Sequence, residues 1–190
     1  MSSAPIASEN AKGAYAATSA AAVANEFLML GLNEPTAPPI DQMKLQKLLF
    51  YAHAWHLAIK GRPLFEEDFE AWSWGPVVRN IYFETRNFGR SKVTSELTEL
   101  RKSGPTVMDF VFVTPHIEDE ETRVFIRQIW DVHKNFTGIQ LSNATHAPGE
   151  PWSIIKDQYG TLDHKPTIPN SLIQEVFKNK IANAANSAST

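Results

Sequence analysis

Apolar residues recur along this chain at two different periods, and the shifts between them mark its elements. Val23, Phe27 and Leu30 fall at i, i+4 and i+7, the stripe of an amphipathic helix. Thr18 is its expected N-cap, and Gly31 and Asn33 its stop signals. Pro35, Pro38 and Pro39 stiffen the connector that follows. The strongest periodic run spans 41–60, capped by Asp41 and ended by Gly61. Leu45, Leu48, Leu49, Ala52, Trp55, His56 and Ile59 share one face of it. Met43, Phe50 and Leu57 form a second stripe, with Gln46 and His53 beside them. A helix apolar on two sides is either central in a core or shared with a partner. Central placement explains the pattern with less.

Residues 69–74 alternate instead. Phe69, Ala71 and Ser73 oppose Glu70, Trp72 and Trp74, as in a short strand. Gly75 permits a tight turn, and Pro76 suits the first turn of a helix that includes Val77, Ile81 and Tyr82 and ends near Gly89. Residues 91–104 read as a polar loop with one helical turn around 96–101, and 107–113 as a second strand. Glu118, Asp119, Glu120 and Glu121 suit a helix N-terminus, where the dipole favours negative charge. Phe125, Ile129, Val132 and Phe136 give that helix its apolar face, and Gly138 closes it. Short helices over 139–145 and from Trp152, and a last helix over 169–181, complete the chain. The expected fold is mainly α (α+β): a compact helical domain around the central helix at 41–60, with a small two-stranded β element. The domain spans 18–181, between a flexible N-terminal arm (1–17) and a flexible C-terminal tail (182–190).

Composition narrows the function. A length of 190 residues suits one domain, and 43% hydrophobic and 11% aromatic residues supply its core. The absence of cysteine excludes disulfides, thiolate catalysis and Cys-based zinc sites, and agrees with a reducing cytoplasm. No stretch approaches the ~20 apolar residues of a membrane span. The Ala-rich run at 16–24 follows no positive region, so it reads as an arm entering a helix rather than a signal peptide. The expected location is the cytoplasm. A net charge of −3 provides no general field for nucleic acid, which argues against it as a partner. Lys44, Lys47, Lys60 and Arg62, and then Arg79, Arg86 and Arg90, read as solvated helix faces.

Candidate chemistry is sparse. His53 and His56 at i, i+3 would bring two imidazoles near one metal, with His133, His146 or Glu150 as a third ligand. Packed histidines with one hydrogen bond each are the simpler reading. Phosphate loops, dinucleotide turns and nucleophile elbows are missing. Glu66, Glu67, Asp68 and Glu70 lie close enough for acid–base work, but a polar loop explains them. The chain therefore reads as a binding protein and not an enzyme, with no catalytic residue, metal ligand or cofactor assigned.

Three ordered motifs point to a family. The run from Lys44 to Ala58, KLQKLLFYAHAWHLA, resembles the K-L-Q-K-L-L-Y-Y-A-x-x-W-H-L-A signature of SocA-like, Panacea-domain antitoxins, also described as phage-associated proteins. Gly61 to Phe65 resembles the family's G-x-P-L-F segment, and Glu70 to Val78 its E-A-W-x-x-G-P-V-V run. Thr145-His146 and Pro151-Trp152 are similar to its T-H…P-W element. The resemblance implies an antitoxin that neutralises a cognate toxin protein by direct contact. A family member acts as an adaptor delivering its toxin to the ClpXP protease, and whether this chain delivers or simply occludes stays open. A metal-dependent enzyme using His53 and His56, and a DNA-binding autoregulator, are the alternatives. Leu45, Gln46, Lys47, Leu48, Leu49, Tyr51, Trp55, His56, Trp72, Gly75, Pro76, Val77, His146 and Trp152 read as motif residues of the scaffold. Interfaces favour exposed aromatics and Arg as anchors, which makes Phe50, Trp74, Arg79, Tyr82 and Arg86 the candidate partner-binding residues.

Overall fold

A computed structural model describes residues 18–187; the N-terminal arm and the last three residues lie outside the described residues. Helix α1 (Ala20–Asn33) begins one residue later than the sequence suggests. Its cap is Ser19, whose hydroxyl accepts from the Ala22 N–H at 3.2 Å, and Gly31 and Asn33 lie within the helix. Helix α2 (Gln42–Lys60) has the predicted ends. Asp41 Oδ1 accepts from the Lys44 N–H at 2.7 Å, and Gly61 takes the left-handed conformation with its N–H on the Leu57 carbonyl. Leu45, Leu48, Leu49, Phe50, Ala52 and Leu57 are all buried, each large one stabilising the fold by about 1.5–3 kcal/mol. Helices α1, α4, α5 and α7 and strand β2 surround α2, so it is the central helix of the core.

Strands β1 (Phe69–Trp72) and β2 (Gly75–Val78) form an antiparallel hairpin with Trp72 opposite Gly75. Strand β5 (Thr167–Ile168) pairs with the other side of β1, giving the order β2-β1-β5. Pro76 and Val77 are therefore strand residues, contrary to the expected helix start. All four β2 residues are buried, and a continuous apolar run carries no period that distinguishes strand from helix. Pro76 is tolerated because β2 is an edge strand. Helix α3 (Arg79–Thr85) begins only after it and continues as a 3-10 turn to Phe88.

A separate two-stranded sheet pairs β3 (Glu99–Lys102) with β4 (Phe110–Val113). Residues 99–102 are strand, not the helical turn expected around 96–101, because the pairing with β4 decides their conformation. Helix α4 (Glu120–His133) is capped by Asp119, whose carboxylate accepts from the Thr122 N–H and hydroxyl. Its buried face is Phe125, Ile126, Ile129, Trp130 and His133, whereas Val132 is 67% exposed and Phe136 lies beyond the helix. Gly138 opens α5 (Gly138–Thr145) instead of closing α4: Thr137 and Gln140 form a capping box around it. A side chain at Gly138 would meet the Lys44 backbone at 2.7 Å, so glycine lets α5 approach the start of α2. Helix α6 (Pro151–Tyr159) starts on Pro151, and α7 (Asn170–Ser187) continues past residue 181 to Ser187.

Candidate functional site

Gln42, Lys44, Gln46, Lys47 and His56 of α2 hold other segments by their backbones. The buried Gln46 amide spans the last residue of β2: Oε1 accepts from the Val78 N–H at 2.8 Å and Nε2 donates to its carbonyl at 3.3 Å. The amide thus supplies the partner that an edge strand lacks. One residue on, Lys47 Nζ donates to the Pro76 carbonyl at 3.0 Å. One turn earlier, Gln42 Nε2 donates to the Tyr82 carbonyl at 3.0 Å, which fixes α3.

The β1–β2 turn is held from its other side by α5 and α6. Ser142 Oγ donates to the Trp74 carbonyl at 2.8 Å, and Trp152 Nε1 to the Trp72 carbonyl at 2.8 Å. The His146 ring packs on the Trp152 ring at 3.8 Å between centroids, and its Nδ1 donates to the Ser142 carbonyl at 2.6 Å. Gly75 has φ +103, and a Cβ there would lie 2.7 Å from Thr145 Oγ1 and 2.8 Å from Lys47 Cε. Only glycine fits both the conformation and the space. The motifs that are far apart in sequence thus converge on one turn.

This turn displays Trp74, which is 70% exposed. Beside it opens a cleft of about 550 Å³, lined by Met43, Lys47, Trp72, Trp74, Tyr82 and Ile139 among others. The rings of Trp72 and Tyr82 lie 4.6 Å apart. Arg79 is half exposed and pairs with Glu70 at 2.7 Å, and Glu70 also accepts from Trp72 Nε1 at 2.7 Å. Arg86 lies over the exposed Phe83 ring at 5.3 Å. Four of the five candidate partner residues are therefore at or near one surface. Phe50 is the exception: it is fully buried, edge-on to Tyr51, Phe69 and Phe177, and presents nothing to a partner.

Two expected basic groups are also internal. Lys44 and Lys47 are buried, not parts of a solvated face. Burial lowers the Lys44 amine to about 8, opposed by the nearby Asp41, and lowers Lys47 to about 7. Lys60 does lie outside, paired with Glu121. Glu67 accepts from the Ala20 N–H at the start of α1, so it and Glu70 serve structure.

His53 and His56 diverge. His53 Nε2 meets Asn170 Oδ1 at 2.9 Å, with its ring near Phe65 and Phe69. Burial lowers its pKa to about 4. His56 Nδ1 donates to the Arg62 carbonyl at 2.8 Å and its ring meets Phe125 edge-on. The suggested third ligands are elsewhere: His133 stacks on Tyr51, His146 sits under the turn, and Glu150 pairs with Lys180. Among the described residues no three His, Cys, Asp or Glu side chains are grouped to hold a metal.

Sequence reasoning did not single out Ser142 or Gln42, whose roles depend on contacts remote in sequence. It also passed over the exposed apolar residues of the second hairpin. Leu100, Val107, Met108 and Phe112 are all more than half exposed, and only the run Phe110 to Val113 announced a strand.

The family model for antitoxin SocA-like proteins, Panacea domain, matches residues 45–153. The chain belongs to this family. Antitoxin SocA of Caulobacter vibrioides (strain NA1000 / CB15N) is 33% identical over 142 residues, covering 75% of this chain and 72% of that protein. No solved structure matches the chain. The family span contains Gln46, Lys47, the whole β1–β2 hairpin, Ser142, His146 and Trp152, so the clamped turn lies inside it. Among the described residues no helix is long and apolar enough to cross a membrane.

Proposed function

We propose that the chain neutralises a cognate toxin protein in the cytoplasm by direct contact, through the face that carries Trp74, Tyr82, Arg79 and Arg86. The domain at 18–181 is the unit that does so. One observation carries the choice of surface: Trp74 stands 70% exposed on a turn whose backbone is fixed from both sides. A large aromatic on a rigid support loses little freedom on binding and makes a strong anchor. The inward polar residues favour a scaffold over a reactive centre. Gln46, Lys47, His56 and His146 already bond backbone atoms of their own chain. DNA binding is disfavoured because two of the basic residues of α2 face the core.

Co-expression with the product of the neighbouring gene tests this reading. The expected result is rescued growth and a co-purifying complex. Trp74→Ala weakens that complex by roughly 30-fold or more while the fold is retained, as for an anchor worth about 2 kcal/mol. A neighbour that is harmless alone and never co-purifies overturns the reading. Toxin half-life in the same cells, with and without ClpXP, separates the two modes of action. A ClpXP-independent half-life means occlusion, and shortening only when both antitoxin and ClpXP are present means delivery.

A further inference from the structure

The cleft beside Trp74 is backed by a buried amine that the scaffold does not fully employ. Lys44 and Lys47 both enter the core from α2, but their ammonium groups are treated differently. Lys44 Nζ donates to the Pro38 and Lys134 carbonyls, each at 2.7 Å, and lies 5.2 Å over the Trp130 ring. Lys47 Nζ has one acceptor among the described residues, the Pro76 carbonyl, although an ammonium carries three donors. No carboxylate forms an ion pair with it among the described residues. A buried charge without a counter-charge is unfavourable. Unlike Lys44, Lys47, though only 1% exposed, lies in the wall of an open cleft.

The surroundings suit an anion on an apolar body. Trp72, Trp74, Tyr82, Met43 and Ile139 provide apolar walls, and about 550 Å³ accommodates one or two side chains. Arg90 at the rim adds a cation that forms no ion pair among the described residues. Asp41, the acidic residue of the lining, has Oδ1 committed to the Lys44 N–H.

We propose that this cleft receives a carboxylate of the partner polypeptide, an Asp or Glu side chain or a chain terminus, carried beside an apolar residue that packs on Trp74 and Tyr82. The inference rests on the reading that the partner is a protein docking on this face. The carboxylate supplies the counter-charge that Lys47 lacks, and water leaves the cleft as the apolar neighbour enters. Truncating one member of such a desolvated pair weakens binding strongly, mostly through faster dissociation.

The test uses the full chain and two probes of nearly the same shape, one anionic and one neutral: N-acetyl-tryptophan, a carboxylate, and N-acetyl-tryptophanamide. Both are titrated at about pH 6, below the titration of Lys47, while NMR follows the indole N–H groups of Trp72, Trp74 and Trp152 and the Gly75 amide. The expected result is movement of these signals with about tenfold tighter binding of the carboxylate. Lys47→Met removes most of that preference. Arg90→Ser, outside the core, reduces it about twofold and serves should Lys47→Met not fold. Equal affinity for the two probes, or no movement at the cleft with either, overturns the proposal. If the probes are not distinguished but toxin still binds, only the carboxylate inference falls. If they are distinguished and no toxin binds, the docking reading falls on its own.

Discussion

The two hairpins of this molecule are each tied to the core by one buried amide side chain. Gln46 bonds both backbone groups of Val78 at the end of β2. Asn25 does the same for Leu97 before β3, and also donates to the Pro115 carbonyl after β4. Beyond these ties the hairpins differ. The first is further held by Lys47, Ser142 and Trp152 and pairs with β5. The second is fixed at its base alone, and β3 and β4 pack mainly on each other. Leu100 and Phe112 face each other across it, and Phe112 is 77% exposed. A two-stranded hairpin by itself is marginally stable in water. The same local element thus forms a rigid platform in one place and a lightly tethered arm in the other. The difference lies in how many remote side chains take up its backbone groups.

Removing Gln46 tests the platform most severely. Gln46→Ala leaves the buried N–H of Val78 without a partner, at a cost of about 1–3 kcal/mol, and empties the buried volume of the side chain, while the Val78 carbonyl keeps its place at the N-terminus of α3. Urea unfolding should show a loss of about 3 kcal/mol. A loss below about 1 kcal/mol would mean that the hairpin does not depend on α2.

Acid also acts on the first hairpin. His53 packs against Phe69 of β1, and burial holds its pKa at about 4, below the ordinary 6.5. The folded state therefore prefers the neutral ring. Its contribution is fully present above pH 6.5 and is lost as pH falls through about 4. A His53→Gln variant lacks this titration, so the stability difference between wild type and variant should narrow over that window, by up to about 3 kcal/mol. A difference that stays constant from pH 7 to pH 4 would contradict the assignment.

The arm should respond more weakly and more locally. Asn25→Ala frees three backbone groups, but the arm base can open to water, which limits the loss to about 1–2 kcal/mol. Exchange of the Leu97 amide should speed up by tenfold or more while that of Val78 is unchanged. Equal acceleration at both amides would show that the hairpins open as one unit. The smallest effect is expected for Phe112→Ser, which alters an exposed side chain and should change stability by less than about 0.5 kcal/mol. A loss above 1.5 kcal/mol would mean that the arm packs on the core.

The same contrast explains what the sequence reveals. Helix α2 is legible because its caps and its two apolar stripes are local signals, and Asp41 and Gly61 act as expected. The inward role of Lys44, Gln46 and Lys47 is not legible. These are the residue types of a solvated helix face, and only the carbonyls brought by distant segments give them a reason to be inside. Strand β2 was hidden because a fully buried strand has no alternation, and β3 because its conformation depends on a partner strand. In α4 the stripe at Phe125 and Ile129 is correct, but Trp130 rather than Val132 turns inward, where its indole donates to Glu34. Of the candidate site, Trp74 and Tyr82 were visible as aromatics in a motif. Phe50 has the same chemistry, and only its position under the sheet distinguishes it.

Hydrogen–deuterium exchange on the purified complex with the cognate toxin tests the central claim most directly, because it reads which hairpin the partner covers. New protection is expected over Ser73 to Gly75 and the neighbouring start of α3, with little change in α1 and α7. Protection confined to the second hairpin or to the far side of the core, with the Trp74 turn exchanging as in the free protein, would contradict it.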